Sequence, residues 1–192
     1  DHLKDPGHWA GIMTYYMIMM YNSGKIKEKD AITSYKDLLN PAWKGKFAIS
    51  DMRTSTSGYA WLYAVRSVMG KEFVDGMGKQ NMLLVRGHSG IRKKIMSGEK
   101  WIAPEVRESD VWRAAKKKAP ITGVWPSEGV PPIIYGTGIV KRAPHPNAAK
   151  VFMNWVLSKE GQAVAANLRG SGRMDIKPPK GKERPENFKV IQ

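Results

Sequence analysis

Short apolar runs bounded by polar residues alternate with longer apolar segments through most of this chain. The short runs have strand length, and the longer segments have helix length and contain no proline. Strands that alternate with helices predict an α/β fold whose sheet contains parallel pairs. The predicted strands are residues 46–50, 82–85, 101–103 and 121–124, and the predicted helices are residues 59–69, 72–79, 91–97 and 109–118.

The two ends of the chain have a different pattern. Residues 9–22 predict two extended pieces rich in aromatic side chains and methionine, and residues 130–140, with two adjacent prolines, predict another extended segment. A helix with one apolar face is predicted over residues 148–157, and a shorter helix over residues 159–168. From Gly170 onward proline, glycine and lysine dominate, which predicts a loosely held tail.

A polar loop rich in hydroxyl groups separates the strand at 46–50 from the helix at 59–69. Either Ser57 or Thr56 can cap this helix, whose first N–H groups have no intrahelical acceptor. Such a helix start is suited to an anion, although an ordinary capped helix in a serine-rich loop explains the same residues. The nucleotide-binding glycine patterns are absent. The candidate ligand residues in this loop are Arg53, Thr54, Ser55, Thr56, Ser57 and Gly58.

A second polar loop follows the strand at 82–85 and repeats the same order of strand, loop and helix. Its sequence is Gly-His-Ser-Gly, and His88 and Ser89 are its candidate ligand residues. In open α/β sheets ligands bind at the carboxyl ends of the strands, which is where both loops lie. We therefore predict one site that these loops share.

Composition narrows the chemistry further. The 192 residues include no cysteine, so neither disulfides nor thiolate metal sites are possible, and His2, His8, His88 and His145 show no metal-ligand spacing. No metal site and no cofactor are predicted. The net charge of +15 favours anionic ligands, but its lysines and arginines are spread along the chain and no nucleic-acid-binding motif is present. The apolar run at residues 12–20 is too short to span a bilayer.

Four blocks, in order, resemble the ferric-iron type of bacterial ABC-transporter solute-binding proteins. They are residues 34–46 (SYKDLL and WKGK), residues 51–59 (a loop ending in SGY), residues 129–140 followed by 142–150 (RAPHPNAAK), and residues 157–162 (LSKEGQ). The resemblance covers roughly residues 10 to 165. It implies a type 2 periplasmic-binding-protein fold, in which two α/β lobes joined by crossing strands close on a solute.

The resemblance also implies a division of the chain and a missing part. We expect this chain to lack most of the first lobe. The expected parts are a remnant of lobe 1 with a hinge strand (residues 1–21), lobe 2 (residues 22–129), a return hinge strand with lobe 1 helices (residues 130–170) and a basic tail (residues 171–192).

Ferric-binding members of the family often use adjacent tyrosines in the second lobe. The matching region here, residues 101–106, contains no tyrosine, and Glu105 is its candidate carboxylate ligand. Tyr15 and Tyr16 are adjacent, but successive side chains of a strand point to opposite faces, so we expect one of them in the core. Tyr135 is a further candidate for the lining of the cleft.

We therefore predict a solute-binding component of an ABC importer, not an enzyme, that works in the periplasm or outside the cell. Its partners would be a small anionic or ferric solute and the permease subunits, with no nucleic acid. Two rivals stay open: a basic nucleic-acid-binding module and a transferase-like enzyme on the same fold. Without most of lobe 1, self-association is expected through the apolar helix face formed by Ala148, Val151, Phe152, Trp155 and Val156.

Overall fold

The computed structural model describes residues 9–168, 170–173, 175–178 and 180–191. Two of the histidines considered above, His2 and His8, and the start of the expected lobe 1 remnant lie outside these residues. The chain forms two compact units. Unit 1 comprises Asp1–Tyr15 and Ile134–Glu183, and unit 2 comprises Tyr16–Ile133 and Arg184–Gln192.

The elements follow the predicted alternation of strands and helices. The strands are β1 (Ala10–Asn22), β2 (Ala48–Ser50), β3 (Leu83–Val85), β4 (Ile102–Arg107), β5 (Ile121–Val124) and β6 (Pro132–Thr137). The α-helices are α1 (Thr56–Gly78), α2 (His88–Met96), α3 (Glu108–Lys116), α4 (Pro146–Leu157) and α5 (Lys159–Leu168). Short 3-10 helices cover Glu28–Asp30, Tyr35–Leu39 and Pro41–Trp43.

The second half of β1 is the centre of unit 2. It pairs antiparallel with β4 on one side and with β5 on the other. Met17, Ile18, Met19 and Met20 are all buried, as expected for a strand that is covered on both faces. The sequence predicted two extended pieces over residues 9–22, whereas residues 10–22 form one continuous strand.

Two helices of unit 2 follow the two strands of a parallel pair. Ala48, Ile49 and Ser50 of β2 pair in register with residues 83–85 of β3, and α1 and α2 follow these two strands. The sheets of unit 2 thus contain parallel and antiparallel pairs with helices attached. This arrangement confirms the predicted α/β class with a mixed sheet.

The long helix α1 breaks at Gly70, between the two helices that the sequence predicted. Gly70 has a φ of 82° and a ψ of 174°, which an L side chain rarely adopts. The two helical parts are therefore continuous along the chain but bend at this residue.

Gln162 joins the separate segments of unit 1. Its side chain is 1% exposed, and its Nε2 donates to the carbonyl oxygens of Ile12 and Val156 at 3.0 and 2.7 Å. Its Oε1 accepts from the Ser171 hydroxyl and the Gly172 amide, both at 2.7 Å. A single buried amide thereby connects β1, the end of α4 and the segment after α5.

The helix α4 leaves most of its apolar face open. None of its residues is buried, and Val151, Phe152 and Trp155 are 69%, 59% and 40% exposed. Large apolar side chains that are adjacent and exposed mark a surface that can bind a partner.

The end of the chain is packed against unit 2, in contrast to the predicted loosely held tail. Val190 pairs with Val130, and the ring of Phe188 lies 4.8 Å from that of Tyr16 and 4.7 Å from that of Trp125. These apolar contacts and one buried ion pair hold the segment in place, although its basic composition predicted a loosely held tail.

The ion pair joins Arg184 to Glu108, which is fully buried. Nε and Nη2 of Arg184 donate to the two carboxylate oxygens at 2.8 and 2.6 Å, and the guanidinium lies 4.7 Å from the centre of the Tyr16 ring. Burial raises the pKa of Glu108 above its usual range, and the hydrogen bonds and charge of Arg184 offset part of that rise.

Within the described residues, no helix is both long and apolar enough to cross a membrane.

We expect Arg184→Ala to lower the free energy of unfolding of this chain by about 3 kcal/mol at pH 7, because it leaves a buried carboxylate unpaired. Because the folded-state pKa lies above the ordinary value of 4.5, the stability that Glu108 contributes is complete below that pH and is lost as pH rises from 4.5 through the raised folded-state pKa. The loss should therefore shrink toward pH 4, where Glu108 can bind a proton. Urea unfolding at several pH values measures this dependence.

The matched control is Arg173→Ala, which removes a bidentate pair with Asp175 at 2.8 and 2.9 Å that is exposed to water. Exposed pairs contribute little, so no measurable change is expected. Equal losses for Arg184→Ala at pH 4 and pH 7 would contradict this account of the tail.

Candidate functional site

The carboxyl ends of β2 and β3 lie side by side in unit 2. Ser50 is paired with Val85, and the Asp51 amide donates to the Val85 carbonyl at 3.1 Å. The chain then leaves β2 toward α1 and β3 toward α2. The two polar segments singled out in the sequence therefore start from one edge of the parallel pair.

The cap of α1 is Ser55, and the prediction that Ser57 or Thr56 caps this helix is wrong. Ser55 has extended backbone angles, and its Oγ accepts from the Gly58 amide at 3.1 Å. Thr56 and Ser57 are already helical, so their N–H groups belong to the first turn, where intrahelical acceptors are lacking.

Gly58 is required by the close packing at this helix start. A Cβ at this position would lie 2.9 Å from Sδ of Met52 and 3.0 Å from both Cβ of Ser50 and Oγ of Ser55. The first turn of α1 therefore approaches the end of β2 as closely as backbone allows.

Arg53 is engaged with a neighbouring carboxylate. Its Nε and Nη2 donate to the two oxygens of Asp51 at 2.8 and 2.7 Å, and its side chain is 81% exposed. These hydrogen bonds hold the pKa of Asp51 below its usual range. The Thr54 hydroxyl donates to the Asp51 carbonyl at 3.2 Å, so the loop is held by local contacts. A ligand would have to share Arg53 with Asp51.

His88 and Glu105 form a buried pair beneath this edge. Nε2 of His88 lies 2.7 Å from Oε2 of Glu105, and Oε1 of Glu105 accepts from the Ser50 amide at 2.9 Å. The side chains of His88 and Glu105 are 6% and 0% exposed. Because both oxygens of Glu105 are engaged by the protein, this carboxylate can hold β2, α2 and β4 together.

The positions of His88 and Glu105 follow from the start of α2 and the end of β4, and both boundaries differ from the sequence prediction. The second polar loop is short, because Gly87, with a φ of 76°, turns the chain so that α2 begins at His88. The strand β4 extends to Arg107, beyond the predicted residue 103, with a register shift opposite Met19. This irregularity accommodates Pro104, which has no N–H for the ladder.

Ser89 is not part of the buried pair, and Tyr135 belongs to the other unit. Ser89 is exposed in the first turn of α2. Tyr135 belongs to unit 1, is 39% exposed, and lies with its ring centre 5.4 Å from that of Tyr15. Tyr15 is buried and Tyr16 is half-buried, as expected for successive residues of a strand.

Three arginines surround Asp110, a fully buried carboxylate that sequence reasoning missed. Arg92, Arg107 and Arg113 place nitrogens 2.6, 3.1 and 3.5 Å from its oxygens. Arg92 lies one helical turn after His88, so its pair with Asp110 follows the His88–Glu105 pair along one face of α2. The cluster therefore continues the row of polar groups that begins at Ser50. The only sequence signal was the spacing of three residues between Asp110 and both Arg107 and Arg113.

The helix N-termini at this edge carry no acidic side chain. The first turns of α1 and α2 contain neither aspartate nor glutamate, whereas the first turn of α3 contains Glu108 and Asp110. Carboxylates are favoured at helix N-termini, and the first turns of α1 and α2 have none of their own. In the described part of the chain, no three His, Asp or Glu side chains are grouped so as to hold a metal ion.

A sequence profile of the family described as bacterial extracellular solute-binding protein matches residues 3–167. Iron uptake protein A1 of Synechocystis sp. is 26% identical over 186 residues, covering 86% of this chain and 50% of that protein. The chain spans about half the length of the curated relatives it matches, with shares of 50%, 49% and 42%.

Solved structures share the fold. A protein described as a two-component system protein that mediates signal transduction has a TM-score of 0.85 and 23% identity, covering 100% of this chain and 66% of its own. The periplasmic binding protein AfuA from Actinobacillus pleuropneumoniae, with fructose-6-phosphate bound, has a TM-score of 0.80 and 20% identity, covering 95% and 60%. These similarities confirm the predicted type 2 periplasmic-binding-protein fold.

We expect Glu105→Ala to lower the free energy of unfolding by about 3 kcal/mol, because the Ser50 amide and His88 lose a buried acceptor at about 1–3 kcal/mol each. Glu105→Gln keeps one acceptor and should lose less. Glu99→Ala, which removes a half-exposed pair with Lys94, is the control and should change little. Urea unfolding measures all three. If Glu105→Ala is no less stable than Glu99→Ala, the pair does not hold this edge together.

Proposed function

We propose, since the chain belongs to the bacterial extracellular solute-binding protein family, that it is part of the solute-binding component of an ABC importer. Unit 2 would bind a small anionic solute, or a metal–anion complex, at the carboxyl edge of β2 and β3. The family match agrees with the prediction that this is a binding protein and not an enzyme. The observation that carries the proposal is the pair of non-acidic helix starts at this edge, one of them rich in hydroxyl groups.

The donors at this edge suit an oxyanion. The first-turn amides of α1 and α2 point out of the helix ends, where the helix dipole places partial positive charge. Thr56 is exposed and Ser57 is half-buried, so their hydroxyls can add hydrogen bonds to the same anion, whereas the Thr54 hydroxyl would first have to leave the Asp51 carbonyl. Hydrogen bonds to a charged group are stronger than those between neutral groups, which favours an anion over a neutral solute.

The charges near this edge also favour an anionic solute. Arg92, Arg107 and Arg113 share one carboxylate, Asp110, and this leaves an excess of positive charge beside the row that starts at Ser50. The whole chain carries a net charge of +15. A positive field of this kind raises the rate at which anions arrive and stabilises them once bound.

The names of the compared proteins indicate two classes of solute. One relative is an iron uptake protein, and one structure of the same fold contains fructose-6-phosphate. Ferric iron would arrive here as a complex whose anion supplies most of the ligands, and we retain the prediction that no metal is held by protein side chains alone. A phosphate group, free or on a small organic molecule, fits the same hydroxyl and amide donors.

The buried residues of the candidate site would position other residues and would not contact the solute themselves. His88 and Glu105 are almost fully buried and bind each other, so we propose that they position Ser50 and the start of α2. Ser89 and the residues of the loop, from Arg53 to Ser57, would contact the solute. Tyr135 stays a candidate for the lining of a cleft.

The remaining parts of the proposal concern the whole protein. Binding would take place outside the cytoplasmic membrane, and the loaded protein would deliver its solute to permease subunits. The family match favours this role over the two rivals, a nucleic-acid-binding module and a transferase-like enzyme.

We expect the double change Ser55→Ala and Ser57→Ala to weaken anion binding at least tenfold, because each hydrogen bond to a charged group contributes roughly 1.5–3 kcal/mol. Calorimetric titration with fructose-6-phosphate, inorganic phosphate and ferric citrate measures the affinities and separates the two solute classes. Unchanged affinity for every probe that the parent protein binds would remove this loop from the site.

Two controls separate binding from folding. Ser67→Ala removes an exposed hydroxyl further along α1, whose Oγ donates to the Ala64 carbonyl at 2.7 Å, and should leave affinity unchanged. Ser55→Asp keeps a side chain that caps the helix but adds negative charge, so it should preserve stability while weakening anion binding.

We also propose that this polypeptide associates with itself through the exposed face of α4. Burying one large apolar side chain is worth roughly 1.5–3 kcal/mol, so Val151, Phe152 and Trp155 together favour a contact. Sedimentation velocity at micromolar concentration should show dimers or larger species, and Phe152→Asp should shift them toward monomer. Val68→Asp, at a 49% exposed position of α1, is the control. A monomeric parent chain would contradict the proposal.

A further inference from the structure

An apolar cavity of about 160 Å³ lies in unit 2, bounded by α1, β2, β3 and residue 82 before β3. Its wall includes three methionines, Met52, Met77 and Met82, and two aromatic rings, Trp61 and Phe73. No charged side chain is among the described residues that line it. Met52 of its wall lies in the segment that joins β2 to the candidate anion-binding loop.

The size and the lining define what the cavity can hold. An enclosed apolar cavity of roughly 150 Å³ in another protein binds benzene. Typical pockets for drug-sized ligands are larger, at about 300–1,000 Å³, so one ring is the upper limit here. An anion would lose its hydration without gaining a partner, which excludes the solutes proposed above.

The side chains of the wall favour an aromatic or alicyclic ring. Methionine is flexible and polarisable, fills irregular gaps and makes favourable contacts with aromatic rings. Trp61 and Phe73 are 1% and 3% exposed, so they form fixed walls. Leu84, which also lines the cavity, is 52% exposed, and the cavity therefore reaches the surface of the unit.

We propose that this cavity is a second binding site, for a neutral apolar molecule or group about the size of one six-membered ring. The site is separate in chemistry from the anion site and does not depend on it. The two are nevertheless adjacent in the chain, because Ser50 and Met52 line the cavity while Ser50 also donates its amide to Glu105.

The test uses benzene as the probe and benzoate as its charged counterpart. In protein labelled with ¹³C at the methionine methyl groups, benzene should shift the signals of Met52, Met77 and Met82 in a saturable manner. Benzoate at the same concentrations should leave them unchanged. Benzene should also raise the thermal unfolding midpoint, because it binds the folded state only.

Two variants of α1 form a matched pair. Val74 lines the cavity, and Val74→Phe should fill it and weaken benzene binding at least tenfold. Val68 is outside it and 49% exposed, so Val68→Phe should bind benzene like the parent protein. If Val74→Phe does not fold, Leu62→Phe fills the same cavity from the preceding turns.

The outcomes separate this site from the anion site. Loss of benzene binding in the filled variant, with fructose-6-phosphate titration unchanged, supports the proposal. Shifts that do not saturate, equal shifts with benzoate, or unaltered benzene binding in the filled variant would overturn it. Failure of every anion probe to bind leaves the benzene result intact, because the two sites share no ligand chemistry.

Discussion

The candidate site depends on the hydrogen bonds of one buried carboxylate, that of Glu105. A buried carboxylate is costly unless its oxygens are matched by hydrogen bonds, and this one has a partner on each oxygen. The Ser50 amide belongs to β2 and His88 to α2, while Glu105 itself belongs to β4. Because these elements are distant in sequence, the pair fixes the relative positions of the two helix starts that would receive an anion. A site assembled from loops needs such a rigid support.

The order of elements could be predicted because it follows from local chemistry. The strand Ile121–Val124 and the helix Lys159–Leu168 begin and end where the apolar pattern predicted. Asp37 lies three residues after Ser34, which is the spacing of a capping box, and the box is present: Asp37 accepts from the Ser34 amide at 2.9 Å, and the Lys36 amide donates to Ser34. The extension of β4 could not be read in this way. Its later residues include Pro104 and Glu105, which do not favour a strand. They lie in one here because the register shift accommodates the proline and because Ser50 and His88 bind the glutamate.

The candidate site was predictable as a region and less so in its contacts. The hydroxyl-rich segment pointed to the start of α1, but several adjacent residues could each cap it, and the choice of Ser55 depends on how the chain leaves β2. The partners of Asp110 and Glu108 were harder still. Arg92 lies 18 residues from Asp110 and Arg184 lies 76 residues from Glu108, so no local pattern links them.

Polar and apolar surfaces meet at Ser50, and this junction explains how one unit can hold both proposed sites. On one side, the Ser50 backbone joins a row of hydrogen-bonded and charged groups that runs through His88 and Glu105 to Asp110. On the other side, Ser50 lines a cavity whose walls are otherwise apolar. The polar row can stay rigid because the carboxylates of Glu105 and Asp110 each have partners, whereas the methionine-lined cavity can adjust because dispersion contacts are not directional. A ring bound in the cavity would therefore affect the anion site through Ser50, whose amide is bound to Glu105, or through Met52, which precedes the anion-binding loop.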